Sequence, residues 1–148
     1  PVACNADCAE AISRGDDRCI GYAVQRGFKT CTADRVLSDG EEFKLDPFSF
    51  RCIAAPGHAE SCMVYELTLG GERLWFCGDL FEVGPECRSV SLCWNGGPDY
   101  NAPRYIETLR RLSHMRCDIL CPGHGPVCIG NGIRLVQMAY RLAMEQLR

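Results

Sequence analysis

Apolar and polar positions along the chain fall into recognisable runs. Ser61–Leu69 alternates in part, Arg73–Cys77 is a second apolar run, and Gly70-Gly71 between them predicts a β-hairpin. Phe48–Ala55 reads as a strand stopped by Pro56-Gly57, and Arg35–Ser38 as a strand entering the turn Asp39-Gly40. Cys117–Cys121 is a short apolar strand stopped by Pro122-Gly123. Helical spacing marks other stretches. Asn101 can cap a helix with Pro103 in its first turn and a stripe of Ile106, Leu109 and Leu112. Asn131 can cap the last helix, where Ile133, Val136, Tyr140, Ala143, Met144 and Leu147 share a face. Asn5–Ser13 reads as a short helix and Asp16–Gly27 as another, broken by glycines, while Leu80–Pro103 is loop-rich. With no repeat, low-complexity tract or long linker, residues 1–148 read as one domain. The order of strands, hairpin, helix, strand and helix predicts an α/β fold with a sheet packed on helices.

Composition narrows the class of protein. Of the residues, 47% are hydrophobic and 24% charged, which excludes a disordered chain. No apolar run approaches the roughly 18 residues of a membrane span. With 16 basic and 19 acidic side chains the net charge is −3, without the basic stripe of a nucleic-acid binder. The chain opens Pro1-Val2-Ala3-Cys4, with no initiator Met and no signal-peptide pattern, and reads as a processed chain or a piece of a longer one. Twelve cysteines are many for this length. Many lie inside apolar runs (Cys52, Cys62, Cys77, Cys117, Cys121), so they read as reduced core thiols of a cytoplasmic protein. Disulfides, or a zinc site using Cys4-x3-Cys8 or Cys117-x3-Cys121, are the alternatives.

The chemistry concentrates at strand ends. The chain has 3 His. His58 and His124 share the frame Pro-Gly-His just after an apolar strand, and a third strand, Leu74–Cys77, ends at Gly78-Asp79. A glycine there lets the chain turn sharply and presents the next side chain at the sheet's end. Imidazole and carboxylate are donors that zinc takes at catalytic sites, and iron or manganese would also suit them. Each motif alone reads more readily as a surface turn than as a ligand; three together point to a metal site at His58, Asp79 and His124.

Ala54-Ala55-Pro56-Gly57-His58, Leu74-Trp75-Phe76-Cys77-Gly78-Asp79-Leu80 and Asp118-Ile119-Leu120-Cys121-Pro122-Gly123-His124-Gly125 resemble the later metal-binding motifs of the metallo-β-lactamase superfamily. Val36-Leu37-Ser38-Asp39-Gly40-Glu41 is similar to the strand and turn that precede them there. The resemblance runs from about residue 35 to the C-terminus. It implies an αββα sandwich with one or two divalent ions, zinc foremost, and a metal-bound hydroxide that attacks an ester, thioester, amide or phosphoester in a small-molecule substrate. By that resemblance His58 ligates the first metal, Asp79 bridges the two and His124 ligates the second. Asp at position 79 is similar to the glyoxalase II-like branch; Cys77 reads as strand core.

The family's first motif, His-x-His-x-Asp-His, has no counterpart here, and Glu60 stands close behind His58 where the family differs. The expectation is therefore an N-terminally incomplete αββα domain, inactive alone. The alternatives are a non-catalytic remnant serving as a binding module, or one half of a protein completed by another polypeptide. With one sheet layer missing, Val64, Leu67 and Trp75 are expected to be partly uncovered and the chain to form a homo-oligomer or to pair with the absent half. His114, near a helix C-terminus, reads as a surface cation. Phe81, Trp94 and Tyr100 could line a pocket, and Arg134, Arg141 and Arg148 form a solvated helix face.

Overall fold

A computed structural model describes all residues, Pro1–Arg148. In chain order its elements are β1 (Ala3–Cys4), α1 (Ala6–Arg14), β2 (Arg35–Val36), β3 (Glu42–Leu45), β4 (Phe48–Ala54), β5 (Met63–Leu69), β6 (Glu72–Gly78), β7 (Glu82–Val83), β8 (Val90–Ser91), α2 (Ala102–Leu112), β9 (Ile119–Pro122), β10 (Cys128–Ile129) and α3 (Gly132–Gln146). The central sheet has the order β10-β9-β6-β5-β4-β3; β6 and β9 are parallel, joined through α2, and the other neighbours are antiparallel.

Helix boundaries follow from capping. The Asn5 side chain accepts the Cys8 N–H and opens α1, and Asn101 accepts the Arg104 N–H and opens α2. Asn131 also precedes a helix, but it is left-handed (φ 66°) and makes no side-chain cap bond, so it serves as a turn residue and not as the expected cap. The helix expected over Asp16–Gly27 is two 3-10 turns, Asp17–Cys19 and Gly21–Val24. Ile20 between them is left-handed, which breaks the helical path. In the central sheet two strands come where no periodicity announces them: β3, which forms a hairpin with β4, and β10, at the other edge. The expected loop of Leu80–Pro103 holds the small β7–β8 pair.

Strand register divides the sheet into two faces. Arg51, Glu66, Trp75 and Leu120 are aligned across one face. Here Ile53, Val64, Trp75, Cys77 and Leu120 pack with Tyr105, Leu109 and Leu112 of α2 and Leu135, Val136, Ala139 and Ala143 of α3. Trp75 is fully buried and donates its indole N–H to Glu66 at 2.8 Å, which satisfies the one polar atom it brings into the core. Val64, Leu67 and Trp75 are thus buried, contrary to expectation. Val64 and Trp75 lie under the helices, and Leu67 is enclosed on the other face.

That other face is the more exposed one. Phe43, Phe50, Leu67, Leu74 and Ile119 form one row across it, and Cys52, Tyr65, Phe76 and Cys121 the next. Phe43 stacks on Phe50 at 5.4 Å between centroids, and Tyr65 meets Phe43 edge-on at 5.8 Å. The N-terminal segment covers only part of this face. Pro1, Val2, Ala3 and Leu37 rim a groove of about 580 Å³ floored by Phe43, Phe50, Tyr65 and Phe76.

Candidate metal centre

Strand direction brings the three candidate residues to one edge of the sheet. β4 is antiparallel to β5, β5 to β6, and β6 is parallel to β9, so β4, β6 and β9 run the same way. Ala54 pairs with Met63, and Gly78 with Pro122. Extending the β5–β6 register by two pairs beyond Tyr65 and Phe76 sets Met63 opposite Gly78. Ala54, Gly78 and Pro122 therefore lie in one row, and His58, Asp79 and His124 follow just beyond it. Two strand spacings, about 10 Å, separate β4 from β6.

Asp79 and His124 meet. His124 Nε2 is 3.5 Å from Asp79 Oδ1, and both side chains are open to solvent. The Gly123 N–H donates to the Gly78 carbonyl at 2.7 Å, which locks the two strand ends together. A Cβ on Gly123 would collide with Asp79 Oδ1, so glycine here leaves room for the carboxylate. The Val83 N–H donates to the His124 carbonyl at 3.1 Å and holds the loop from behind.

His58 is held differently. Gly57 is in a conformation favouring glycine (φ 137°), and a Cβ there would strike the backbone of Tyr105. The Asn101 N–H donates to the Gly57 carbonyl at 2.8 Å, and Thr108 Oγ1 donates to the Pro56 carbonyl at 2.7 Å. Asp99 accepts the Glu60 N–H at 2.9 Å, and Glu60 is ion-paired to Arg104. The charge of Glu60 is thus spent on α2. Upstream, Asp39 accepts the Ala54 N–H at 2.7 Å and fixes the end of β4. The Nδ1 of His58 is buried and has no hydrogen-bond partner, a costly state for a polar atom. Thr108 and Asp99 carried no signal in the sequence, because they act on the His58 turn from 52 and 39 positions away.

Three donors of the kind zinc takes therefore share this edge. Two touch, and the third has an orphaned nitrogen. No group of three His, Cys, Asp or Glu side chains converges in a geometry that could hold a metal ion. The neighbouring thiols stay in the protonated state. Burial pushes Cys62 up to about 11 and Cys93 up to about 12, with the charge of Asp79 adding to both. Cys77, buried in the strand, is pushed up to about 12 by the same cause. Of the other residues raised from the sequence, Phe81 is fully buried in the core, Trp94 is exposed and Tyr100 packs edge-on against Tyr105. His114, Arg134, Arg141 and Arg148 are on the surface. No helix is long and apolar enough to cross a membrane.

No family model matches the chain. Among solved structures it is similar to a metallo-β-lactamase of Cronobacter sakazakii with a HARLDQ motif, at 24% identity and a TM-score of 0.61, over 84% of this chain and 46% of that one. It is also similar to BJP-1, a subclass B3 metallo-β-lactamase of Bradyrhizobium japonicum, at 19% identity and a TM-score of 0.70, over 97% and 60%. A third likeness is to the FEZ-1 metallo-β-lactamase of Legionella gormanii, at 22% identity and a TM-score of 0.57, over 82% and 47%. The chain spans about half the length of the structures it matches.

Proposed function

We propose, from the metallo-β-lactamase fold of this chain and the contact between Asp79 and His124, that its sheet edge is part of the metal centre of a hydrolase. The observation that carries the reading is the 3.5 Å approach of His124 Nε2 to Asp79 Oδ1, on the same edge as a His58 whose Nδ1 lacks a partner. Asp79 and His124 would hold a divalent ion, zinc being the first choice for this donor set, and His58 would serve the same centre. Such an ion supplies Lewis acidity toward a carbonyl or phosphoryl oxygen and toward water. The chain's own groups orient the site: the Asp79 carboxylate faces the imidazole, the Gly123–Gly78 bond sets the spacing of the two strand ends, and α2 clamps the His58 turn. Catalytic zinc takes three protein ligands, so we propose that further polypeptide, from the same gene or another, completes the donor set, and that this chain alone is inactive. The substrate is a small ester, thioester, amide or phosphoester. The Asp at position 79 favours the glyoxalase II-like branch, and the unpaired state of the cysteines favours a cytoplasmic setting.

A second reading, a non-catalytic interaction module, draws on the partly open aromatic face. The test compares this chain with one extended upstream. Zinc content is measured on both, with turnover of a generic thioester and a generic phosphodiester. Stoichiometric metal and turnover in the extended chain, both lost in Asp79→Ala, support the hydrolase. An extended chain without metal overturns it and leaves the interaction module.

A further inference from the structure

Behind the Asp79–His124 pair, two strained turns face each other across a pair of thiols. In one, Glu86 and Cys87 are both left-handed, with φ 56° and 53°. In the other, Gly130 and Asn131 are left-handed, with φ 76° and 66°. Two successive non-glycine residues in that region are strained, and such strain persists only where the surroundings hold it. Here it delivers a sulfur. Cys87 Sγ donates to the carbonyl oxygen of Val127, the residue before Cys128, at 3.7 Å. Both cysteines line one small cavity with Glu86, Asn131 and Arg134. Cys128 is buried, whereas Cys87 is half-exposed and reachable from solvent.

We propose that Cys87 and Cys128 form a modification site, a dithiol that a low-molecular-weight disulfide such as oxidised glutathione converts into an intramolecular disulfide. In the first step the Cys87 thiolate attacks one sulfur of the small disulfide; a mixed disulfide forms and one small thiol leaves. In the second, the Cys128 thiolate attacks Cys87 Sγ, and the second small thiol leaves. The protein loses two protons and two electrons, and one small disulfide is reduced to two thiols. The new bond ties the segment that follows Asp79 to the segment that follows His124. The Val83–His124 hydrogen bond already joins these two segments, so the disulfide stiffens the half of the site they carry.

The test uses the whole chain, reduced and then exposed to oxidised glutathione under native conditions, alkylated, and digested with trypsin. The proposal expects the peptides Leu74–Arg88 and Cys117–Arg134 to be joined, with fragmentation assigning the link to Cys87 and Cys128. Cys128→Ser should stop at the mixed disulfide on Cys87, and Cys87→Ser should leave Cys128 unmodified until the chain is unfolded. A wild-type chain that also stops at the mixed disulfide overturns the proposal. So does a link that joins Cys77 to Cys121 in the same peptide pair.

Discussion

The α-carbon of Gly123 packs directly on the Asp79 carboxylate, leaving no room for a side chain between them. The glycine of the second Pro-Gly-His frame thus shapes the neighbouring strand end as much as its own turn. Gly123→Ala is expected to destabilise the fold by about 1–3 kcal/mol, the usual range for overpacking. Asp79→Ala, at an exposed position, should change stability by no more than about 0.5 kcal/mol. The double variant should recover part of the Gly123→Ala cost, since one of the clashing atoms is gone. Denaturant melts of the four chains give the coupling; additive losses would show that Asp79 does not occupy the space beside Gly123.

Tyr105 ties helix to sheet at the chemical edge. Its hydroxyl donates to the Leu80 carbonyl, its ring is fully buried, and burial holds the phenol well above its ordinary pKa. The phenol is therefore neutral at any working pH and acts as a donor alone. Tyr105→Phe leaves a buried carbonyl unsatisfied and should cost about 1–3 kcal/mol. Loss of that size with an unchanged m-value in urea is the expected result, and an unaltered midpoint would refute the bond's importance.

Acid stability has an identifiable contributor at the far end of the same strands. Asp118 accepts the Arg73 N–H at 2.8 Å and pairs with Arg116 at 2.9 Å, and these contacts hold its carboxyl below the ordinary value of 3.8. A carboxyl depressed in the folded state contributes stability above its unfolded pKa and loses it as pH falls through the folded one. Asp118→Asn should therefore lower the melting temperature near neutral pH, and the gap to wild type should close below about pH 4. A gap that stays constant with pH would assign the effect to lost geometry and not to charge.

Glycine, proline and alternation made the strands that matter for chemistry readable. β4, β5, β6 and β9 lie within two residues of the expected runs, and the two Pro-Gly-His frames stand at one sheet edge with Gly78-Asp79. What escaped was set by tertiary packing. β3 carries Glu42 and Lys44 in alternation with Phe43 and Leu45, a pattern too short to stand out until β4 pairs with it. Asp16–Gly27 has helical composition, yet Ile20 turns left-handed and the run divides. The burial of Val64 and Trp75 is not legible in the sequence, because an apolar run does not say which of its faces the helices take. The supports of His58 come from Asp99 and Thr108, which only the folded chain brings near.

The uncovered face is where an expectation about association can be tested. Leu45, Phe48, Leu69 and Phe76 are 61%, 41%, 52% and 40% exposed, and all point to the side of the sheet away from α2 and α3. Apolar sheet surface of this kind favours contact with a second sheet at a spacing of about 10 Å. The chain is therefore expected to self-associate, with a sedimentation coefficient that rises with concentration. Replacing Leu45 and Phe48 by Glu puts charge into that contact without touching the helix-covered core. The double variant should sediment as a monomer while keeping the circular dichroism of the parent. Adding a polypeptide that supplies a complementary apolar sheet should compete with self-association in the parent and fail in the variant. A parent chain that sediments as a monomer at all concentrations would mean that the N-terminal segment covers this face well enough by itself.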